Sequence, residues 1–420
     1  MTAAPPVWWL ATSSRHGAPP WAFAMALGYA ALALLGLQFL LTARFKLIAL
    51  PFGIDLVYYV HRYLAIGGLA LVTAHAALVA VRQPALAGLG AWPEPHVVAG
   101  IGAWALWSGL VLAALLRRQT RQHYDAWRRL HAAAAVLAYG AALWHVWASG
   151  RYLESTVDRA LFAVSAGGWL ALLAWVRAVR PAWVARRPWR VDSVHAETER
   201  VWSIAVVPVG HGGLRFQPGQ FAWVTVRRSP WSMREHPFSI ASSAERPARL
   251  EFTVKERGDF TRSVRRLAVG ERVWIDAPYG CFSVDRHPAA PRFVFIAGGV
   301  GIAPILSMLR TLADRRDPRP LLLIYANDAL AGAAHLAELL ALSDRLDLRV
   351  VPVIKDPPPD WTGERGYVTR DLLERCLPRE TRAAEYFLCG PPPMTEAVES
   401  ALGELGVSPW RIRTELFDLV

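Results

Sequence analysis

Four histidines in the apolar first half of this 420-residue chain form two pairs with the same spacing. His61 and His75 are 14 positions apart (75 − 61), and so are His131 and His145 (145 − 131). Fourteen residues span nearly four helical turns and about 21 Å, so both histidines of a pair share one helix face. Two such helices side by side would present two facing pairs at two depths, which is the geometry for stacking two bis-histidine haems across a bilayer.

A histidine in an apolar helix has a simpler alternative role, because its ring can hydrogen-bond a backbone carbonyl of a neighbouring helix. Four histidines at a repeated spacing favour a functional site, since polar groups inside a bilayer are costly. We therefore predict that the four paired histidines bind haem iron. His96 and His123 fall in predicted loops and are weaker candidates.

Five segments are long and apolar enough to cross a membrane, and the histidine pairs lie in the second and fourth of them. The predicted spans are roughly 21–41, 55–81, 97–116, 124–148 and 157–179. Hydrophobic residues make up 54% of the chain, which is too high for an ordinary soluble protein. Residues 1–20 lack a basic stretch followed by a short apolar core and cleavage site, so the first span is predicted to be a retained helix.

Basic side chains account for a formal net charge of +12, and in the first half they cluster beside the predicted spans. The clusters are Arg44 and Lys46; Arg117, Arg118, Arg121, Arg128 and Arg129; and Arg177, Arg180, Arg186, Arg187 and Arg190. The positive-inside rule then places the N-terminus outside and everything after about residue 180 in the cytoplasm. His61 and His131 become the inner pair, and His75 and His145 the outer pair. Membrane orientation explains the basicity better than nucleic-acid binding does.

The sequence after the last span predicts two further folded domains. RPAWVARRPWR (180–190) is predicted to be a basic connector at the membrane surface. Short alternating runs from about 189 to 287, including RVWSIAVVPV, QFAWVTVR, RLEFTVKERG and RVWIDAPYG, are typical of an antiparallel β-barrel. From 291 buried strands alternate with helices, which predicts a doubly wound α/β domain.

The predicted fold is therefore a multidomain membrane protein, with an all-α transmembrane haem bundle followed by these two domains. The boundaries are an extracytoplasmic segment 1–20, the transmembrane domain 21–180, the β-barrel 188–288 and the α/β domain 291–420. Cys281, Cys376 and Cys389 all lie in the predicted cytoplasmic half and form no CxxC pair. This argues against a disulfide framework or a thiolate metal site.

Three short motifs follow one another in the predicted barrel: QPGQF (217–221), HPFSIAS (236–242) and KERGDFTRSV (255–264). Together they resemble the flavin-binding barrel of the ferredoxin–NADP reductase superfamily, in its ferric reductase and NADPH oxidase branch. The resemblance implies that HPFS binds FAD, with Phe238 after Pro237 packing on the isoalloxazine and Ser239 hydrogen-bonding near its N5. His236 takes the place where other branches have an arginine facing the pyrophosphate.

The same resemblance implies a phosphate-binding loop at Gly258, Phe260 and Thr261, whose backbone amides and hydroxyl would hold the FAD phosphates. Bare N–H groups in a glycine-bearing turn form such an anion nest.

A glycine-rich turn, AGGVGIAP (297–304), lies between a predicted strand and a predicted helix. Gly298, Gly299 and Gly301 let the backbone approach a pyrophosphate at a helix N-terminus, just before Pro304. With CGPPPM (389–394), the turn resembles the nicotinamide-nucleotide half of the same superfamily. The resemblance puts Cys389 and Gly390 beside the nicotinamide; the alternative role of Cys389 is that of a small buried hydrophobic residue.

Two positions bear on cofactor choice and flavin shielding. NADPH-preferring relatives carry a basic pair after the second strand of this domain, whereas this chain has YANDA (325–329). Asp328 would repel a 2′-phosphate, which favours NADH, although Arg349 or Lys355 offers an alternative source of positive charge. Phe417 would cover the flavin face, as terminal aromatic residues do in the family, or pack in the core.

The resemblance covers residues 21 to 420 and implies a bacterial-type transmembrane flavocytochrome b of the inner membrane, with no obligate protein partner evident. It implies an NAD(P)H oxidoreductase that passes electrons from cytoplasmic NADH or NADPH through FAD and two haem b groups to an extracytoplasmic acceptor. Oxygen, a ferric chelate and a quinone all fit as acceptors. One alternative is an electron-transfer module serving a partner membrane or periplasmic protein. Another is a flavin reductase whose helices are only an anchor, without haem.

Overall fold

The computed structural model of the chain describes residues 19–45, 54–82, 93–120, 124–377 and 383–416. His123, Phe417 and nearly all of the predicted segment 1–20 lie outside these ranges. The chain divides into two compact units, Met1–Pro181 and Ala182–Val420, which are described separately.

Five long helices account for most of the first unit. They are α1 (Pro19–Thr42), α2 (Ile54–Arg82), α3 (Pro95–Thr120), α4 (Tyr124–Ser149) and α5 (Thr156–Ala174). All five are long and apolar enough to cross a membrane, and a helix satisfies every backbone polar group within the segment, as lipid requires. The five predicted spans are confirmed to within a few residues at each end.

The last helix is longer than predicted. A π-helical turn, Trp175–Val179, joins α5 to a short helix α6 (Arg180–Ala185). Pro181 lies in the first turn of α6, where its missing N–H is tolerated and the preceding π turn absorbs the irregularity. The segment predicted as a connector from residue 180 is therefore helical over its first six residues.

Neighbouring helix ends that carry arginine lie together. The guanidinium of Arg180 donates a hydrogen bond to the carbonyl oxygen of Ala43 at 2.9 Å, which joins the start of α6 to the end of α1. The guanidinium of Arg117 lies 5.0 Å from the ring centre of Trp127, which joins the end of α3 to the start of α4.

A curled antiparallel sheet opens the second unit. Its strands are β1 (Pro188–Thr198), β2 (Val201–Pro208), β3 (Phe221–Val226), β4 (His236–Ser239), β5 (Leu250–Lys255) and β6 (Arg272–Tyr279), and a short helix α7 (Asp259–Ser263) follows β5. The order is β4-β3-β6-β1-β2-β5. An isolated bridge between Ile240 and Phe252 links the two edges. The four runs quoted from the sequence correspond to β2, β3, β5 and β6, whereas β1 was missed because its second half is polar.

A parallel sheet completes the second unit. Its strands are β7 (Phe293–Gly298), β8 (Leu321–Asn327), β9 (Leu348–Ile354), β10 (Glu364–Arg365), β11 (Glu385–Cys389) and β12 (Ile412–Glu415). The helices are α8 (Ile302–Arg315), α9 (Leu336–Ala341), α10 (Arg370–Cys376) and α11 (Pro392–Glu404). The order β10-β9-β8-β7-β11-β12, with an apolar cluster on each face, confirms the predicted doubly wound domain. The ends of β7 and β11 are neighbours, where such sheets bind ligands.

Candidate functional site

The outer histidine pair is brought together between α2 and α4. The ring centroids of His75 and His145 are 6.5 Å apart, and the ring planes differ by 76°. A metal between two imidazoles lies about 2.0–2.1 Å from each nitrogen, which puts the ring centroids roughly 6 Å apart. These two side chains therefore have the spacing that bis-histidine ligation of a haem iron requires.

Backbone carbonyls anchor both outer rings. Nδ1 of His75 lies 2.8 Å from the carbonyl oxygen of Ala24 in α1, and Nδ1 of His145 lies 2.7 Å from that of His96 in α3. A carbonyl oxygen only accepts, so Nδ1 carries the proton and donates, and Nε2 keeps its lone pair for a metal. The alternative role of such histidines, a hydrogen bond to a carbonyl, is therefore compatible with ligation by the other nitrogen.

His96 itself lies in the first turn of α3 and not in a loop as predicted. Its ring centroid is 6.0 Å from that of His145, and its Nδ1 is 3.1 Å from a carboxylate oxygen of Glu94. The backbone carbonyl of His96 holds the ring of His145. No sequence motif indicates this role.

The inner histidines, His61 and His131, lie on the same two helices, nearly four turns away, within electrostatic range of each other. Nδ1 of each ring is buried and has no hydrogen-bond partner among the residues that the structure describes. The Trp127 ring lies beside His131, with centroids 4.9 Å apart. The inner rings thus differ from the outer rings in lacking a carbonyl anchor within the described part of the chain.

Between the two levels, Gly68 of α2 serves helix packing. A Cβ placed there would come within 2.6 Å of the Trp107 side chain on α3, and Trp107 is only 4% exposed. Glycine at this position therefore lets a buried indole fill the space between the two histidine levels.

The HPFS motif forms β4. Its last residue, Ser239, gives the strongest indication of a ligand-binding site in this strand. The Ser239 hydroxyl oxygen is buried and has no hydrogen-bond partner among the described residues. Buried polar groups are nearly always paired, so an unpaired hydroxyl fits a site that a ligand completes. Pro237 pairs with Trp223 of β3 in the antiparallel register.

Aromatic rings join HPFS to the predicted phosphate loop. The His236 ring stacks on that of Phe260 with centroids 3.8 Å apart, and Phe238 lies 5.8 Å from the same ring. Phe238 and Phe260 also pack partly against the core of the curled sheet. The structure therefore brings the two predicted flavin-binding segments together.

The Thr261 hydroxyl makes hydrogen bonds within the predicted phosphate loop itself. Its hydroxyl accepts hydrogen bonds from the amides of Arg257 and Gly258, at 2.8 and 2.9 Å, and donates to the carbonyl of Gly258. The hydroxyl therefore shapes the loop at the start of α7, and its hydrogen bonds are made within that loop.

The glycine-rich turn and CGPPPM meet at the adjoining ends of β7 and β11. A Cβ on Gly301 would lie 2.1 Å from the carbonyl oxygen of Cys389, and one on Gly298 would lie 2.6 Å from Sδ of Met394. Gly299 adopts φ +53°, and a Cβ there would meet nothing within 4 Å. Gly298 and Gly301 therefore permit close packing of the two motifs, and Gly299 leaves the backbone of the turn open to a ligand.

Cys389 is fully buried in the apolar cluster on one face of the parallel sheet, which fits its alternative role as a small hydrophobic residue. Gly390 follows at the strand end, where a Cβ would lie 3.2 Å from the amide nitrogen of Gly298. Pro304 is buried in the first turn of α8.

Asp328 is exposed just beyond the end of β8. Lys355 follows β9 at the same edge, and its amide donates to the carbonyl of Asn327 at 2.9 Å. Arg349 pairs with Leu322 near the opposite end of these strands, so it is not a source of charge for this edge. Of Arg349 and Lys355, the two residues considered as sources of positive charge near Asp328, Lys355 is the one that lies at this edge of the sheet.

A polar cluster on α8 and α9 ties the parallel sheet to the curled sheet. Arg310 makes two hydrogen bonds to Glu338, at 2.6 and 2.7 Å, and a third to Glu251 of β5 at 2.7 Å. Nε2 of His335 lies 3.0 Å from the hydroxyl of Thr253, also in β5, and its Nδ1 lies 3.6 Å from Glu338. Sequence reasoning missed this cluster, which holds the HPFS strand and the glycine-rich turn in one compact unit.

We expect this cluster to make stability depend on pH in the acid range. Burial alone would raise the pKa of Glu338, but hydrogen bonds and charge from His335 and Arg310 lower it to about 2. Since the pKa is depressed on folding, the contribution to stability is present above the ordinary value of 4.5 and is lost as pH falls towards 2. Glu338→Gln should therefore lower the Tm at neutral pH and approach the wild type in acid.

The measurement is thermal unfolding of the solubilised full-length protein at a series of pH values, followed by circular dichroism. Glu404→Gln is the control, because its carboxylate pairs with Arg370 at an exposed position. A deficit in the Glu338→Gln variant that is the same in acid as at neutral pH would contradict the assignment.

Three families match successive parts of the chain. Residues 27–142 match the ferric reductase like transmembrane component, 206–283 an FAD-binding domain, and 295–400 the oxidoreductase NAD-binding domain. Each matched region falls within one of the three folded parts described above.

Known proteins resemble about half of the chain. The reductase component of propane 2-monooxygenase from Rhodococcus jostii (strain RHA1) is 32% identical over 217 residues, which is 50% of this chain and 57% of the relative. NADH-cytochrome b5 reductase 1 from Pyricularia oryzae is 32% identical over 189 residues, which is 44% of this chain and 61% of the relative. The chain thus spans about three fifths of the length of these relatives.

A solved structure resembles the chain along most of its length. The structure of flavohemoglobin from Malassezia yamatoensis, with bound FAD and haem, superposes with a TM-score of 0.51 at 19% identity, covering 98% of both chains. This likeness is one of fold alone. In this order the three matched families, with five helices long and apolar enough to cross a membrane, match the architecture of the ferric reductase and NADPH oxidase superfamily, with a C-terminal half of the ferredoxin–NADP reductase kind.

Proposed function

We propose that the protein carries electrons across a membrane, from cytoplasmic NAD(P)H through FAD and two b-type haems to an extracytoplasmic acceptor. The observation that carries this proposal is the outer histidine pair, whose rings lie 6.5 Å apart with both Nδ1 atoms held by carbonyls. The reaction is then that of an NAD(P)H oxidase or a ferric-chelate reductase.

The four histidines hold the two haems, with His61 and His131 at the inner level and His75 and His145 at the outer level. When bound, the flavin takes up a hydride and the haem irons carry single electrons, so a two-electron donor serves one-electron acceptors. The arginine-bearing helix ends face the cytoplasm, in accordance with the positive-inside rule. We propose that this membrane is the inner membrane of a bacterium, as the resemblance to bacterial-type members of the family implies.

In the second unit, HPFS, the glycine-rich turn and CGPPPM bind the flavin and the nucleotide. The buried Ser239 hydroxyl hydrogen-bonds the flavin, and His236, Phe238 and Phe260 form an aromatic wall beside it. Gly299 admits the pyrophosphate of the nucleotide to the backbone at the start of α8, and Gly298 and Gly301 let the turn pack closely against CGPPPM. The backbone of Cys389 and Gly390 borders the nicotinamide from the end of β11, since the Cys389 side chain is buried.

Each haem would be held by two histidines, one from α2 and one from α4, which would leave its iron no free position for a further ligand. An acceptor would then be reduced without binding to the iron. Oxygen would leave as superoxide, and a ferric chelate would leave as the ferrous form.

The test begins with absorption spectra of the purified protein, followed by anaerobic addition of NADH or NADPH and then of oxygen, ferric citrate or a quinone. We expect a haem Soret band, a flavin spectrum, reduction of the haem by the nucleotide and turnover with at least one acceptor. A protein that binds flavin but no haem would contradict the proposal and support the anchor alternative.

The second candidate is an electron-transfer module for a partner protein. It is favoured by the resemblance to the reductase component of a multicomponent monooxygenase. Reduction of the haem by NADH, combined with no turnover of oxygen, chelates or quinones, would support this module in place of the oxidase or reductase.

We also propose that the enzyme prefers NADH because Asp328 is exposed where the adenosine ribose would lie. The variant Asp328→Asn removes the negative charge with little change of shape, so the KM for NADPH should fall by about tenfold, equivalent to about 1.4 kcal/mol. The KM for NADH should change much less. Asp371→Asn, at an exposed position in α10, is the control. A wild-type preference for NADPH would contradict this assignment.

A further inference from the structure

His75 reaches α1 at a position where a backbone carbonyl and a glycine share one helix face. Ala24 and Gly28 are four residues apart (28 − 24), so they lie one above the other on the helix. Nδ1 of His75 donates to the Ala24 carbonyl at 2.8 Å. A Cβ on Gly28 would lie 2.9 Å from that Nδ1 and 3.0 Å from Cε1. Any side chain at this position would displace the imidazole.

The same arrangement occurs on α3 for the facing ligand. His96 and Gly100 are also four residues apart (100 − 96), and Nδ1 of His145 donates to the His96 carbonyl at 2.7 Å. A Cβ on Gly100 would lie 2.8 Å from Nδ1 and 3.0 Å from Cε1 of His145. Each outer ring is therefore held in the same way: it donates to a backbone carbonyl of a neighbouring helix and packs against a glycine four residues later on that helix.

The offset of four residues has a physical reason. A helical carbonyl already accepts from the N–H four residues later, and it has a second lone pair for another donor. Helical side chains lean towards the N-terminus, so the side chain four residues later covers that carbonyl. Glycine uncovers it, and an imidazole from a neighbouring helix can then reach the free lone pair.

We propose that Gly28 and Gly100 are positioning residues for the outer haem, which fix the tautomer and orientation of its two ligands and lower its reduction potential. The inference rests on the proposed function. A hydrogen bond from Nδ1 to a carbonyl makes the ligating nitrogen more basic, and a more basic ligand favours the ferric ion. The inner ligands lack this bond among the described residues, so the two glycines act on one of the two haems.

The test compares Gly100→Ala with Gly102→Ala in the full-length protein loaded with haem and FAD. Gly102 lies on the same helix, but a Cβ there would meet nothing within 4 Å. Electron paramagnetic resonance, which senses the angle between the imidazole planes, and a spectroelectrochemical titration would resolve the two haems.

In Gly100→Ala, we expect one of the two low-spin signals to move and one midpoint potential to rise. A tenfold loss of preference for the ferric ion corresponds to about 59 mV for a one-electron couple. The Gly102→Ala variant should match the wild type. Flavin reduction by NADH should be the same in all three proteins, because its site lies in the other unit.

Unchanged signals and potentials in Gly100→Ala, or an equal shift of both haems, would overturn the inference. Selective loss of one haem would support it. If Gly100→Ala does not accumulate, Gly28→Ala is judged by the same criteria, since it approaches the other outer ring. A wild-type protein without haem would contradict the proposed function itself, so the two failures are distinguishable.

Discussion

Replacing His75 by alanine will abolish electron transfer to extracytoplasmic acceptors and leave reduction of the flavin by NADH intact. Loss of a residue that only supports a metal ligand typically costs 10–100-fold in affinity or activity. Loss of a ligand itself should therefore cost more than about 100-fold in acceptor reduction. The inner pair and the second unit are untouched by the substitution, so the flavin should still be reduced at the wild-type rate.

The measurements are stopped-flow flavin reduction, steady-state acceptor reduction and the number of haems per chain, which should fall from two to one. His96→Ala is the matched control, because it removes an imidazole beside His145 but keeps the carbonyl that accepts from it. If the His75→Ala protein retained full transmembrane activity, the assigned relay would be wrong.

Gly301→Ala is expected to slow flavin reduction by NADH about 100-fold, because positioning errors of about 1 Å have effects of this size. The added Cβ would lie 2.1 Å from the carbonyl oxygen of Cys389 and 3.0 Å from the amide nitrogen of Gly390. Both of these are backbone atoms, so the end of β11 must move away from the turn. Overpacking of this kind also costs about 1–3 kcal/mol of stability.

Gly403→Ala is the control for that experiment. It lies in α11 of the same domain, and a Cβ there would meet nothing within 4 Å. Single-turnover flavin reduction and thermal unfolding would separate the two effects, and chemical reduction of the flavin should be normal in both variants. Wild-type hydride-transfer kinetics in Gly301→Ala would show that the close approach of the two motifs does not position the nucleotide.

The transmembrane helices and the alternation of strands and helices could be predicted because their signals are local. A run of about 20 apolar residues forms a helix in lipid whatever its neighbours are. The facing of His75 and His145 followed from a spacing that puts both histidines of a helix on one face. The added helix at Arg180–Ala185 was missed because the basic segment from residue 180 was interpreted as a connector, and the π turn before it has no sequence signature.

The supports of the site could not be predicted in the same way. A backbone carbonyl has no sequence signature, and Gly28 and Gly100 resemble any small residues that serve helix packing. Only the register of β8 and β9 shows that Lys355, and not Arg349, lies at the strand ends near Asp328. The hydrogen bond between Arg310 of α8 and Glu251 of β5 joins residues 59 positions apart in two different domains, which no local pattern encodes.

The carbonyl anchors also bear on the order in which the protein is built. The inner histidines come from α2 and α4 alone, whereas the outer site also needs Ala24 of α1 and His96 of α3. A ribosome releases these helices from first to fourth, and α4 completes both sites at once. The outer ligands are then held in place only when four helices have been inserted and packed, before α5 is needed. A chain with a misplaced first helix would therefore lack the Ala24 carbonyl, and His75 would lose the partner that orients its ring.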